Sequence, residues 1–211
     1  METPSSATRA LPIVAGHIAL DFANTVDDPL GPARHDHAST YEDVVRWSAR
    51  VGTVTHAQAT RLLRRSAGNA PDAAATLALA HELRDVLSET FGAVADRAGD
   101  VPARWPRLRP FVADALAAAD LTDDGRGSYT RAWPGADHLA VVLHPIAAAA
   151  ADLLVDDDLM LVKRCARCPW LFLDHSRNHS RRWCDMNDCG KAQKIERYVA
   201  RRAASRRSAR G

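Results

Sequence analysis

All four cysteines of this 211-residue chain fall in one short stretch, spaced Cys165-x2-Cys168-x15-Cys184-x4-Cys189. A structural zinc site takes four tetrahedral ligands, and four thiolates are one of its standard sets. The Cys-x-x-Cys pair places two sulfurs on one tight turn. Cys184 and Cys189 supply the second pair, and Gly190 after them is free to take backbone angles denied to other residues. The fifteen-residue spacer is long enough for a short hairpin that carries Trp170, Phe172 and Trp183 into a miniature core. A segment this small does not fold on apolar burial alone, so a metal staple is a physical requirement. Idle thiols would prefer apolar burial to a stretch this polar. Cys165, Cys168, Cys184 and Cys189 are therefore expected to hold one structural zinc. A shell closed by four cysteines leaves no position for an activated water, and His175 and His179 are read as exposed imidazoles rather than ligands.

Charge divides the chain at the same place. From Lys163 onward there are 14 lysines and arginines against four acids, a net +10, whereas the preceding 162 residues carry 14 basic and 22 acidic side chains, a net −8. Segregation of this kind points to two parts with different partners, and the C-terminal part calls for a polyanion. From Lys191 to about Arg207 the pattern is helical. Ala192, Ile195, Val199 and Ala203 form an apolar stripe expected to dock on the finger. Lys194, Arg197 and Arg201 lie opposite it, with Lys191 and Arg202 on the flank.

The N-terminal part reads as mainly helical. "HIALDFANTVDD" (His17–Asp28) is too short for periodicity to choose between strand and helix, and Pro29, Gly31 and Pro32 then mark a loop to about Ser39. Thr40 with Asp43 opens a helix that stops at Gly52, and Thr55 opens another that runs to Gly68. Further helices are expected from Pro71 towards Gly99, from about Pro106 to Asp120, and along the stripe Leu139 to Leu154. Asp124-Gly125 signals a hairpin. The fold class is thus mainly α with a small β element (α+β): a helical domain over 1–162 and a small zinc-finger domain over 163–211. The charge break implies that residues 1–162 fold without the finger.

Within "CPWLFLDHSRNHSRRWCDMNDCG" the residues Phe172, Asp174, Ser176, Arg177, Asn178, Ser180, Arg181, Arg182, Trp183 and Cys184 resemble the core of the CGNR-type zinc finger. Of its name-giving tetrapeptide, Cys189 and Gly190 match, while Lys191 stands for Asn and Ala192 for Arg. "IALDFANTV" is similar to the start of the ABATE domain that precedes this finger. The resemblance implies a stress-linked bacterial transcription regulator with the finger as its DNA-binding element.

The resulting reading is a cytoplasmic regulator that binds double-stranded DNA through Arg177, Arg181, Arg182, Lys191, Lys194, Arg197 and Arg201. Its helical domain would sense a small effector or hold a homodimer. Asp21, Asn24 and Thr25 are the most polar patch of an apolar segment; they would bind an effector or, alternatively, cap and fix the segment. "RHDH" (Arg34–His37) reads as a solvated stretch rather than a second metal site. Two other functions are compatible with the residues. One is binding of RNA or single strands by stacking on Trp170 and Trp183; the other is a zinc-thiolate redox sensor. No phosphate loop, nucleophile elbow or His-Glu-x-x-His motif points to an enzyme, and no apolar run is long enough to span a membrane.

Overall fold

The computed structural model describes residues 11–27, 35–123, 125–135 and 138–208, with side chains in the last helix given through Arg202 and at Ser205. Of the segment read as strand or helix, residues 17–27 are described and take both forms. Helix α1 (Ile18–Ala23) is apolar nearly all round and lies buried; it is followed at once by strand β1 (Val26–Asp27), which pairs with β2 (His35–Asp36). The proline- and glycine-bearing stretch between these strands lies outside the described residues.

Helix α2 (Tyr41–Val51) begins in a complete capping box between Thr40 and Asp43 and ends on Gly52, whose φ of 82° is the left-handed cap that glycine supplies. Helix α3 (His56–Gly68) repeats the capping box with Thr55 and Gln58. Helix α4 (Ala70–Ala95) is capped by Asn69 and carries Pro71 in its first turn. Helix α5 (Val101–Ala117) starts five residues before the position expected from sequence. Pro106 reads locally as a start signal, yet the helix runs through both Pro106 and Pro110. Four residues apart, the two rings lie on one side of the helix, so the lost amide donors fall together.

The hairpin announced by Asp124-Gly125 forms from β3 (Asp120–Asp123) and β4 (Tyr129–Ala132), paired Asp120 to Ala132 and Asp123 to Tyr129. A 3₁₀ turn (Leu139–Leu143) then leads into α6 (His144–Val155), and α4, α5 and α6 pack on one another around Leu83, Leu87, Leu108, Val112, Leu139, Ile146 and Ala150. A second hairpin, β5 (Val162–Arg164) with β6 (Leu171–Leu173), follows a short 3₁₀ turn, and α7 (Lys191–Ser208) closes the chain. Among the described residues no helix is long and apolar enough to cross a membrane.

Two features depart from the sequence expectation. The miniature core does not exist as a separate body: Trp170, Leu171, Phe172, Leu173 and the buried cysteines belong to the same apolar cluster as α1, α4 and α6. Strand β6 is buried at all three positions and packs on α1, so nothing but the helical part could cover it. The helical part and the finger therefore share one apolar core. The second departure concerns "RHDH", whose Arg34 lies outside the described residues. Asp36 is not solvated; its two carboxylate oxygens accept from both Nη atoms of Arg84, at 2.6 and 2.9 Å, and Arg84 is 2% exposed. His37 pairs with Asp27 at 2.9 Å across the β1–β2 ladder.

Candidate metal centre and cationic surface

The β5–β6 hairpin brings the first cysteine pair to its turn. Cys165 N–H donates to Trp170 O at 2.8 Å, closing a tight loop that holds Cys168 over the hairpin end. The chain then crosses back, with Ala166 N–H donating to Arg182 O at 2.8 Å, which sets Cys184 beside Cys168. A single turn of π-helix (Met186–Gly190), capped by Asp185, places Cys189 against the other three. The four Sγ atoms lie within 4.8 Å of one another, with Cys168–Cys184 at 3.5 Å and Cys184–Cys189 at 3.7 Å.

These separations discriminate between a metal and disulfides. A tetrahedral zinc with bonds of about 2.3 Å sets its sulfurs about 3.8 Å apart, whereas bonded sulfurs sit about 2.05 Å apart. Thiol acidity gives the same answer. Hydrogen bonding from Cys184, helped by the Trp170 N–H, draws the Cys168 thiol down to about 6. Cys184 is pushed up because its proton is committed to Cys168, and burial pushes Cys189 up to about 12. Cys168 is thus poised to ionise, whereas Cys184 and Cys189 are held protonated until a central cation favours their thiolates. The donor set fits one structural zinc, which supplies that charge and locks the hairpin turn to the π-turn when bound. Among the described residues no other group of three or more His, Cys, Asp or Glu side chains converges in this way. His175 is exposed and faces Asp158 at 3.6 Å, while His179 Nδ1 hydrogen-bonds the Asp174 carbonyl at 2.8 Å.

Around this centre the finger's polar residues are structural. Asp174 is fully buried and takes hydrogen bonds from Lys163 Nζ at 2.5 Å, from Ser176 N and Oγ, and from Arg181 N. Burial opposes its ionisation, but Lys163 and Ser176 outweigh that and hold the carboxyl at about 2. The Arg181 side chain turns inward. Its guanidinium lies 4.3 Å over the Phe172 ring and donates to the carbonyls of Trp183, Val14 and Cys184. Arg181 is thus spent on clipping the zinc loop to the N-terminal segment, and only Arg182 of the pair faces solvent.

Asp21, Asn24 and Thr25 are likewise committed to the protein. Asp21 Oδ1 accepts from the N–H groups of Val14 and Ala15, and Thr25 Oγ1 donates to Phe22 O. Asn24 makes a reciprocal pair with Leu171, Nδ2 to O at 2.8 Å and N to Oδ1 at 2.9 Å, as a neighbouring strand would. All three side chains are buried, which favours the fixing role over effector binding. Trp170 is buried with its Nε1 on Val26 O, and Trp183 is half-buried with the Arg182 guanidinium 5.6 Å from its ring centroid.

Helix α7 leaves directly from the π-turn that carries Cys189. Lys191, Lys194, Arg197 and Arg201 are all exposed, as are Arg177 and Arg182 on the finger. The expected docking of the apolar stripe is not seen among the described side chains: Ile195 and Val199 are 53% and 58% exposed, and the contacts of α7 are with the π-turn. Arg167 tethers the helix instead, through an ion pair with Glu196 at 2.6 Å. This tether was not legible in the sequence, where the one acid of the basic helix has no marked partner.

Two family descriptions match the chain. Residues 16–157 match ABATE, described as "Putative stress-induced transcription regulator", and residues 162–202 match the CGNR zinc finger. No curated protein matches the chain as a relative. The first match spans α1 to α6 and the second begins at β5, the strand that opens the zinc hairpin. By these matches, and by four cysteines gathered around one metal position, the chain belongs to the ABATE family and carries a CGNR zinc finger at its C-terminal end.

Proposed function

We propose that this regulator binds double-stranded DNA through the face formed by Arg177, Arg182 and the cationic side of α7, with the zinc centre as its rigid base. The observation that carries the reading is the continuity from Cys189 into α7, whose Lys191, Lys194, Arg197 and Arg201 all lie exposed. Cations anchored at a metal-stapled turn lose little freedom on binding, and phosphates reward them through counterion release. Burial of Trp170 and the Arg182 guanidinium over the ring of the half-buried Trp183 weigh against single-strand stacking. The helical part serves in this reading as the sensing or assembly half.

The test is selection of a random duplex library on the zinc-loaded full chain, with a chelated sample as control. A duplex motif enriched only with zinc present is the expected outcome. Equal retention of single-stranded competitor, or no zinc-dependent enrichment, would contradict it.

A further inference from the structure

A cleft of about 460 Å³ separates the end of α4 from the zinc hairpin, lined in part by Arg97, Met160, Lys163, Arg164 and Arg182. Its cations outnumber its acids, and the pairing inside it is selective. Asp96, the acid beside Arg97, is taken by Arg164, Nε to Oδ1 at 3.1 Å and Nη2 to Oδ2 at 2.8 Å. Gly92 makes that crossing possible, because a Cβ there would stand 2.5 Å from Arg164 Nη2. Neither Arg97 nor the side chain of Arg182 has an ion-pair partner among the described residues, and both are exposed.

The backbone at Arg97 makes its presence unusual. Helix α4 ends in a Schellman turn, with Ala98 N–H on Ala93 O at 2.9 Å and Arg97 N–H on Val94 O at 3.0 Å. Arg97 occupies the left-handed position of that turn at φ 54°, where glycine is the usual residue and a Cβ is strained. An arginine held there against its backbone preference, with its neighbouring acid neutralised by another side chain, is placed for an anion.

We propose that this cleft receives a backbone phosphate of the bound nucleic acid, with Arg97 and Arg182 as its cations, so that the helical domain contacts DNA beside the finger. The proposal rests on the reading that the finger binds duplex DNA. The variant that tests it is Arg97→Gly in the zinc-loaded full chain, with Arg97→Lys as the charge-keeping control. Glycine relieves the left-handed residue, so its melting temperature should hold or rise by about 2–4 °C. Duplex affinity should fall about fivefold at 0.1 M salt, and the slope of log K against log salt should flatten by about 0.9, one phosphate contact. Arg97→Lys should keep most of the slope. In parallel, pyrophosphate titrated at low salt should shift the Nε–H NMR signals of Arg97 and Arg182.

An unchanged slope in Arg97→Gly, with binding still lost when the α7 cations are removed, would overturn the cleft and leave the DNA-binding reading standing. A wild-type chain that does not bind duplex DNA would remove that reading and this one with it. Pyrophosphate shifts without any effect on DNA binding would overturn the backbone assignment and mark the cleft as a site for a free phosphate compound.

Discussion

Stripping zinc from the full chain should unfold more than the finger. Structural zinc contributes on the order of 10 kcal/mol to small cysteine sites, comparable with the entire net stability of an ordinary domain. Here the metal-bound hairpin also forms part of the helical core. Leu171 N–H is held by Asn24, Leu173 N–H donates to Ala15 O at 2.7 Å, and Phe172 is fully buried among residues of α1 and α4. Releasing β6 would uncover apolar surface on α1 and orphan the Asn24 amide. Chelation, or Cys184→Ser, should therefore remove hydrogen-exchange protection from Leu171, Leu173 and the α1 amides together. A clear loss of helical signal should accompany it. Full retention of α1 protection in the metal-free chain would show that the core does not need the hairpin.

The second large effect concerns Asp36. Replacing it with Ala leaves the Arg84 guanidinium buried without its carboxylate, a change that costs about 3–5 kcal/mol when one partner of a buried pair is removed. Arg84→Met should cost less, because Asp36 is 14% exposed and retains the Ala38 N–H at 3.0 Å. Urea denaturation of the two variants reads this order directly, and the reverse order would count against the pair as drawn. Burial opposes ionisation of Asp36, but its hydrogen bonds from Arg84 outweigh that and hold the carboxyl below its ordinary value. The sign follows: the pair's contribution is fully present above about pH 4, the ordinary carboxylate range, and is lost as pH falls below it through the depressed value.

What was legible in the sequence was local chemistry. The Thr40–Asp43 cap, Thr55 as a helix start, Gly52 as a stop and the four cysteines are read from short-range spacing, and the structure adds Gln58 as the partner of Thr55. What was not legible depends on contacts far apart in the chain. Asn24 and Leu171 are 147 residues apart, and nothing in "LDFANT" marks Asn24 as the edge against which the zinc hairpin pairs. The inward turn of Arg181 has the same origin, since Val14 O and the Phe172 ring attract a guanidinium that its arginine-rich neighbourhood made look exposed. The exposed stripe of α7 shows that a pattern of apolar residues does not by itself create a partner.

Duplex binding by the zinc-anchored cationic helix is tested by the triple variant Lys194→Ala, Arg197→Ala, Arg201→Ala in the full chain. All three side chains are exposed, lie beyond Cys189 and are replaced by the strongest helix former, so zinc content and helicity should be unchanged. With three phosphate contacts removed, the slope of log affinity against log salt on duplex DNA should flatten by about 2.7, at roughly 0.9 per contact. A triple variant that keeps both wild-type affinity and wild-type slope, with zinc still bound, would show that α7 is not the DNA-binding element.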